Sequence, residues 1–239
     1  MRNKNSGFTL VEVAIAIVII GLIVTGVMVG TNLVRQAKVK SLIVDVRKYL
    51  TAYNNFQLEY HGFPGDLSNA ANYWSAADNG DGNRLIGDSL MSEQENKGFF
   101  EQLGLAGLIE GSYDGSTGEI IGVDIPPSPY GSDVSYYVYS NNLWSQYASK
   151  GNSLVVCGPS DNCWDNYRVA IKDAYAIDEK IDDAMPYTGK IISFSDTDGQ
   201  CVASGARLSD SAAKTTTYLL TDQTDKCTVH FAFDDYIFR

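Results

Sequence analysis

The sequence has few of the residues that most enzyme and metal sites need. Its 239 residues include two histidines, His61 and His230, and four cysteines, none of which form a CxxC pair. Structural zinc sites take clustered cysteine and histidine ligands, so this composition argues against a zinc centre. The chain also has no GxSxG, HExxH or phosphate-loop motif, and we therefore predict that it is not an enzyme.

Positive charge is also scarce. There are 18 Lys and Arg residues against 29 Asp and Glu residues, which gives a formal net charge of -11 at pH 7. An acidic chain repels phosphate backbones, so we expect no nucleic-acid partner. Aromatic residues make up 11% of the chain, which indicates a folded body and not a disordered one.

One stretch lacks charge altogether. Residues 13–34 read VAIAIVIIGLIVTGVMVGTNLV, and a helix of this length, at about 1.5 Å per residue, can span a bilayer. Basic residues flank the run on both sides, at positions 2 and 4 and at positions 35, 38 and 40, so charge alone does not fix its orientation. A secretory signal peptide has its small-residue cleavage site after the apolar core. Here the leader-like boundary, between Gly7 and Phe8, comes before it.

A single carboxylate, that of Glu12, lies at the edge of the apolar run. A charged side chain in a membrane helix costs a few kcal/mol unless it is paired. Cleavage after Gly7 would create a positive α-amino group on Phe8. In a staggered bundle of identical helices, Glu12 of one subunit would then neutralise Phe8 of its neighbour. The sequence thus predicts Gly7 and Phe8 as processing residues, and Phe8 and Glu12 as assembly residues.

Residues 7–12 (GFTLVE), with the basic leader before them and the apolar run after them, closely resemble the cleavage and N-methylation motif of type IV prepilins and type II secretion pseudopilins. The resemblance implies that a prepilin peptidase cuts after Gly7 on the cytoplasmic side and methylates Phe8. It also implies a single-pass inner-membrane precursor with its head in the periplasm. Loss of Arg2 and Lys4 with the leader would change the net charge from -11 to -13.

The same resemblance implies assembly, by an inner-membrane platform, into a filament with identical or other pilin-like subunits. The filament would be a type IV pilus at the cell surface or a periplasmic type II secretion filament. An alternative within this resemblance is a minor or tip subunit whose large head acts as a binding or adhesion module. The alternative to the resemblance itself is an ordinary single-span anchor.

The apolar run continues as an amphipathic pattern. Apolar residues recur at steps of three and four, as on one face of a helix, at Leu42, Val46, Tyr49, Tyr53, Phe56 and Tyr60. We therefore predict one helix from about Phe8 to Tyr60, ended by Pro64–Asp66. The predicted organisation is a leader (1–7), a membrane and filament-core helix (8–34), a head-packed half of that helix (35–62) and a globular head (63–239).

The rest of the head mixes helical and strand patterns. Helices are predicted over 91–109, with Phe99, Phe100, Leu103 and Leu108 inward, and over 167–182. Strands are predicted at 136–139, 154–157, 191–194, 217–220 and 228–233. The expected fold is α+β, like that of type IV pilins, with a mostly antiparallel sheet against the long helix.

The even number of cysteines points to two disulfides in an exported chain. Three pairings are possible, and we predict Cys201 with Cys227 and Cys157 with Cys163. The alternative is four buried free thiols.

An Asp- and Asn-rich loop is the best metal candidate. Calcium takes six to eight oxygen ligands from flexible acidic loops, and the candidates here are Asp78, Asn79, Asp81, Asn83 and Asp88. The EF-hand pattern fails, because it would need an acidic residue at Ala77. A second candidate, placed where the resemblance to major pseudopilins implies calcium, comprises Asp196, Asp198, Asp222 and Asp225. The alternative for both is a turn whose side chains cap their own backbone.

Overall fold

A computed structural model describes residues 9–87, 92–115, 120–140, 151–159, 167–194, 201–202, 215–221 and 226–233. These residues form the predicted α+β fold, in which a long N-terminal helix is followed by an antiparallel sheet. Their contacts divide the chain into two compact units, Met1–Lys40 and Ser41–Arg239. Helix α1 (Leu10–Tyr60) contributes to both units.

In the first unit, α1 exposes its apolar side chains. Leu22 is 70% exposed and Ile17 is 64% exposed. Such exposure is costly in water, at about 25 cal/mol for each Å² of apolar surface. Within the described part of the chain, α1 is the one helix long and apolar enough to cross a membrane, with a mean hydropathy of 2.8 in its most apolar window.

In the second unit, α1 buries the stripe that the sequence predicts. Five members of the stripe are almost fully buried and Tyr60 is half-buried. Aromatic rings make many of the contacts: Tyr49 lies 5.6 Å from Phe100, and Tyr53 stacks on Phe63 at 5.3 Å between ring centroids. The helix ends at Tyr60 as predicted, and the turn before Asp66 is closed by its N–H, which donates to the carbonyl of Phe63.

Three shorter helices follow, α2 (Ala70–Tyr73), α3 (Ser92–Leu105) and α4 (Ile171–Ile181). Helix α3 buries Phe99, Phe100 and Leu103 as predicted, but it is shorter than the predicted range of 91–109. Gly107 then adopts a left-handed conformation with φ of +69°, which ends helical winding. Leu108 lies beyond the helix and is only half-buried.

The sheet comprises β1 (Ser135–Ser140), β2 (Asn152–Cys157), β3 (Val169–Ala170), β4 (Ile191–Phe194) and β5 (Lys226–Ala232). The path β1-β2-β5-β3 is antiparallel, and β4 also pairs with β5. β3 occupies the start of the range in which the sequence predicted only a helix, so α4 begins at Ile171 and not at Tyr167.

The predicted strand at 217–220 is wrong. That segment contains only an isolated bridge between Val202 and Tyr218. The Tyr218 hydroxyl instead donates to Asp178 and contacts Ser193. In the sequence, a tyrosine that is buried because its hydroxyl is hydrogen-bonded looks the same as a buried tyrosine in a strand.

The structure joins Cys201 to Cys227, which is the pairing that the sequence predicts, with 5.3 Å between the Cα atoms. Cys157 is also in a disulfide. Its predicted partner, Cys163, lies outside the described residues, so that pairing stays a prediction.

Candidate functional site

The start of α1 contains a reciprocal hydrogen-bonded cap. The Thr9 backbone N–H and hydroxyl both donate to Glu12 Oε2 at 2.8 Å. In return, the Glu12 backbone N–H donates to Thr9 Oγ1 at 3.3 Å. This is the capping-box arrangement, in which Thr at the N-cap and Glu three residues later satisfy each other's backbone donors. Glu12 therefore stabilises the start of its own helix.

The capping role was missed from the sequence, although the Thr9-x-x-Glu12 spacing before an apolar run is its usual signature. Gly7 and Phe8 lie outside the described residues, so the processing site and the pairing of Phe8 with Glu12 stay predictions. What the structure adds is that the Glu12 carboxylate is exposed at the helix start.

In the head, Asp66 organises the loop that the sequence marked for calcium. Its Oδ1 accepts hydrogen bonds from the backbone N–H groups of Gly82 at 2.7 Å and Asn83 at 3.1 Å, and its Oδ2 accepts one from Arg84 at 2.8 Å. Asp66 is almost fully buried. Burial raises the pKa of this carboxyl to about 7, against the lowering effect of the N–H donors and with a further rise from the charge of Glu95.

Three carboxylates meet at this loop. One oxygen from each of Asp66, Asp81 and Glu95 lies within 4.8 Å of the other two. Asp66 and Glu95 are buried and Asp81 is exposed. Glu95 also accepts backbone N–H bonds from Asp81 and Gly87. Calcium takes six to eight oxygen ligands, and these three carboxylates would supply only part of that set.

Most of the predicted calcium residues take part in hydrogen bonds within the head instead. The Asp78 carbonyl accepts from Gln102, the Asn79 side chain accepts the Ala71 N–H, and Asn83 donates to Asp81. The self-capping that the sequence left as the alternative is found at Asp81 and Asn83, whose side chains accept the backbone N–H two residues further on, from Asn83 and Leu85. Asp88 lies outside the described residues. Of the predicted set, Asp81 alone joins the carboxylate cluster; Asp66 and Glu95 were missed.

A second acidic cluster lies at the C-terminal end of α4. Oxygens of Asp178, Asp182 and Asp183 lie within 4.8 Å of one another. Asp178 is fully buried and accepts the Tyr218 hydroxyl at 2.7 Å, and burial raises the pKa of its carboxyl to about 7. The predicted second calcium set of Asp196, Asp198, Asp222 and Asp225 lies outside the described residues.

His230 is a packed side chain within β5. It is 6% exposed, and its Nδ1 lies 3.4 Å from Ser153 Oγ on the neighbouring strand β2. Burial lowers the pKa of its imidazole to about 3, so the ring is neutral at physiological pH. As predicted from the sequence, His230 is a packed side chain of the sheet.

Comparison with known proteins adds one match. Residues 2–28 match the family model described as the prokaryotic N-terminal methylation motif. No curated protein and no solved structure matches the chain. The matched segment spans the basic leader, the Gly7–Phe8 junction, the capping pair and the first part of the apolar run. The chain is therefore prepilin-like: it carries the prokaryotic N-terminal methylation motif that is characteristic of the type IV pilin and pseudopilin family.

Proposed function

We propose that this chain is a structural subunit of a type IV pilus-like or type II secretion filament. It enters the inner membrane as a prepilin, is cleaved after Gly7, is methylated on Phe8 and assembles through its N-terminal helix. A prepilin peptidase and an inner-membrane assembly platform are the partners that this route requires. The observation that carries the proposal is the match of residues 2–28 to the methylation motif, followed by a helix that runs unbroken to Tyr60.

The exposed apolar surface of α1 supports this route. Large apolar side chains from Leu10 to Val34 are exposed on all sides of the helix. A helix that is apolar all round is stable in lipid or in a bundle of similar helices. Transfer from the bilayer to the filament core replaces one apolar environment by another. The assembly step then depends on packing and on the polar groups at the helix start.

Glu12 is the polar group whose partners would differ between the isolated subunit in the bilayer and the subunit in the filament. In the isolated subunit its carboxylate accepts both donors of Thr9. In the filament we infer that it also faces the positive α-amino group of Phe8 on a neighbouring subunit. An unpaired charge in such a bundle costs several kcal/mol, whereas losing a helix cap costs about 1 kcal/mol.

Three variants separate capping from charge pairing. Glu12→Gln keeps a capping-box acceptor but loses the charge. Thr9→Ala loses the capping hydroxyl but keeps the charge. Glu12→Ala loses both. The measurement is the yield of sheared filaments relative to the membrane pool of mature subunit, with mass spectrometry of the N-terminus to verify cleavage and methylation in each variant.

We expect all three variants to be inserted and cleaved after Gly7. Filament yield should fall most for Glu12→Ala, fall to an intermediate level for Glu12→Gln and stay near the parent level for Thr9→Ala. If Thr9→Ala assembles as poorly as Glu12→Ala while Glu12→Gln assembles normally, Glu12 acts only as a helix cap. Filaments built from chains that begin at Met1 would overturn the prepilin proposal itself.

Deletion of the gene, with parallel scoring of surface filaments and exoprotein secretion, distinguishes a pilus from a secretion filament. Abundance in sheared filaments distinguishes a major subunit from a scarce tip subunit.

A further inference from the structure

A cavity of about 490 Å³ lies in the head at the point where α1 ends. Its walls come from the last turn of α1, from the turn that follows it, and from the loop held by Asp66. Volumes of about 300–1,000 Å³ are typical of small-molecule sites.

Two residues of the cavity wall have a backbone conformation that side chains disfavour. Among the described residues, three that are not glycine have a positive φ, namely His61 at 55°, Arg84 at 72° and Ala184 at 62°. His61 and Arg84 both line the cavity. They are also the two that carry a side chain able to bear a positive charge.

Glycine is the usual residue at such positions, since it adopts positive φ without steric cost. The same region uses it twice, at Gly65 and Gly82, with φ of +86° and +75°. His61 is the first residue after α1, where glycine is the commonest choice. Strained residues that the surrounding structure holds in place cluster at ligand sites. The strain at His61 and Arg84 thus points to a use for their side chains.

Both the backbone and the guanidinium of Arg84 make contacts that fix its position. Its backbone N–H donates to Asp66 at 2.8 Å, and its guanidinium lies over the Phe63 ring, 5.3 Å from the ring centroid. In the part of the chain that the structure describes, this guanidinium makes no ion pair. A guanidinium stacked on one face keeps its N–H edge for a planar, bidentate acceptor, and a carboxylate has that geometry.

The cavity lining also includes the aromatic ring of Tyr60 and neutral polar groups. The Tyr60 ring is supported from outside the lining by Trp74, at 5.0 Å between ring centroids, and by Tyr73, at 5.1 Å. Ser68 and Asn69, which are both exposed, also line the cavity. Aromatic faces pack against the C–H face of a sugar ring, while hydroxyl and amide groups hydrogen-bond its hydroxyl groups.

We propose that this cavity binds an acidic saccharide, with its carboxylate on Arg84 and His61 and its ring against Tyr60. The saccharide would belong to a surface or polymer that the filament meets.

The test is calorimetric titration of the full chain, purified in detergent micelles, with two probes of equal length. Trigalacturonate carries carboxylates and galactotriose does not. The variants are Arg84→Gly and His61→Gly, which remove the side chain while relieving the backbone strain. Ala184→Gly is the matched control, because it relieves the same kind of strain at a residue that does not line the cavity.

We expect the parent chain and Ala184→Gly to bind trigalacturonate equally. Arg84→Gly should bind it at least tenfold more weakly, and His61→Gly should also bind it more weakly. Thermal unfolding midpoints at or above that of the parent would establish that the loss is not caused by unfolding. Absence of binding by the parent, or unchanged affinity in Arg84→Gly, would overturn the proposal. Equal binding of galactotriose would overturn the role of the carboxylate. Filament yield is not measured in this test, so its outcome is independent of the assembly proposal.

Discussion

The buried carboxyl of Asp66 makes the stability of the head depend on pH. Its pKa is about 7 in the folded chain and about 4 in an unfolded chain. The folded state therefore binds more protons between these two values. Stability is greatest below the unfolded pKa, falls as the pH rises from about 4 to about 7, and levels off above that.

The size of the effect follows from the difference between the two pKa values. Each unit of difference corresponds to about 1.4 kcal/mol, so the rise from pH 5 to pH 8 removes at most about 2 to 3 kcal/mol through Asp66. Glu101 and Asp178 act in the same direction, because burial raises the pKa of each to about 7. The matched perturbation is Asp66→Asn, which removes one titrating group and leaves the other two.

The assay is urea unfolding of the full chain at pH 5, 6, 7 and 8. Asp66→Asn should lose less stability over this range than the parent, by about 2 kcal/mol. At any one pH, the variant also loses the Oδ2 acceptor of the Arg84 N–H, which lowers its stability by about 1–3 kcal/mol. The slope is therefore the informative quantity. Parallel pH profiles for the parent and Asp66→Asn would refute this reasoning.

Three further outcomes can be checked by thermal or urea unfolding. If calcium binds at the Asp66–Asp81–Glu95 cluster, millimolar calcium should raise the unfolding midpoint more at pH 8 than at pH 5, because protons compete for the carboxylates; an equal rise at both values, or none, contradicts the site. Phe99→Ala should cost about 3–5 kcal/mol, since this ring is fully buried, while Leu58→Ala, at a residue 76% exposed, should cost less than about 0.5 kcal/mol. Replacing Cys201 and Cys227 by serine should remove about 3 kcal/mol, because the disulfide closes a sequence separation of 26 residues; an unchanged midpoint would argue against that loop-closure effect.

Local sequence patterns correctly predicted several helices and strands, because the pattern of each lies within one continuous segment. The apolar run and the tyrosine-rich stripe placed α1, because its helical period persists to Tyr60. The strand at 191–194 was predicted with the observed bounds. The overlong helix at 91–109 and the false strand at 217–220 have different causes. The helix stops before Gly107, which has a positive φ, whereas Tyr218 is held by the bonds of its hydroxyl to Asp178 and Ser193.

The carboxylate cluster could not be predicted in the same way. Asp66 belongs to the turn after α1, Asp81 to the following loop and Glu95 to α3. Nothing in the sequence spacing brings them together. What does so is the set of backbone N–H bonds from residues 82–84 to Asp66, and those bonds exist only once the loop has folded.

If the head is exported as we propose, the position of β5 has a consequence for the order of events. This strand pairs with β2, β3 and β4, and it follows all three in the chain. A precursor that crosses the membrane from its N-terminal part onwards therefore delivers the shared strand after its three partners. Until then β3 and β4 lack their shared partner, and such unpaired strand edges attract aggregation and proteolysis. A chain truncated before residue 226 should likewise be unable to complete the sheet, because β2, β3 and β4 would all lack the strand that they share.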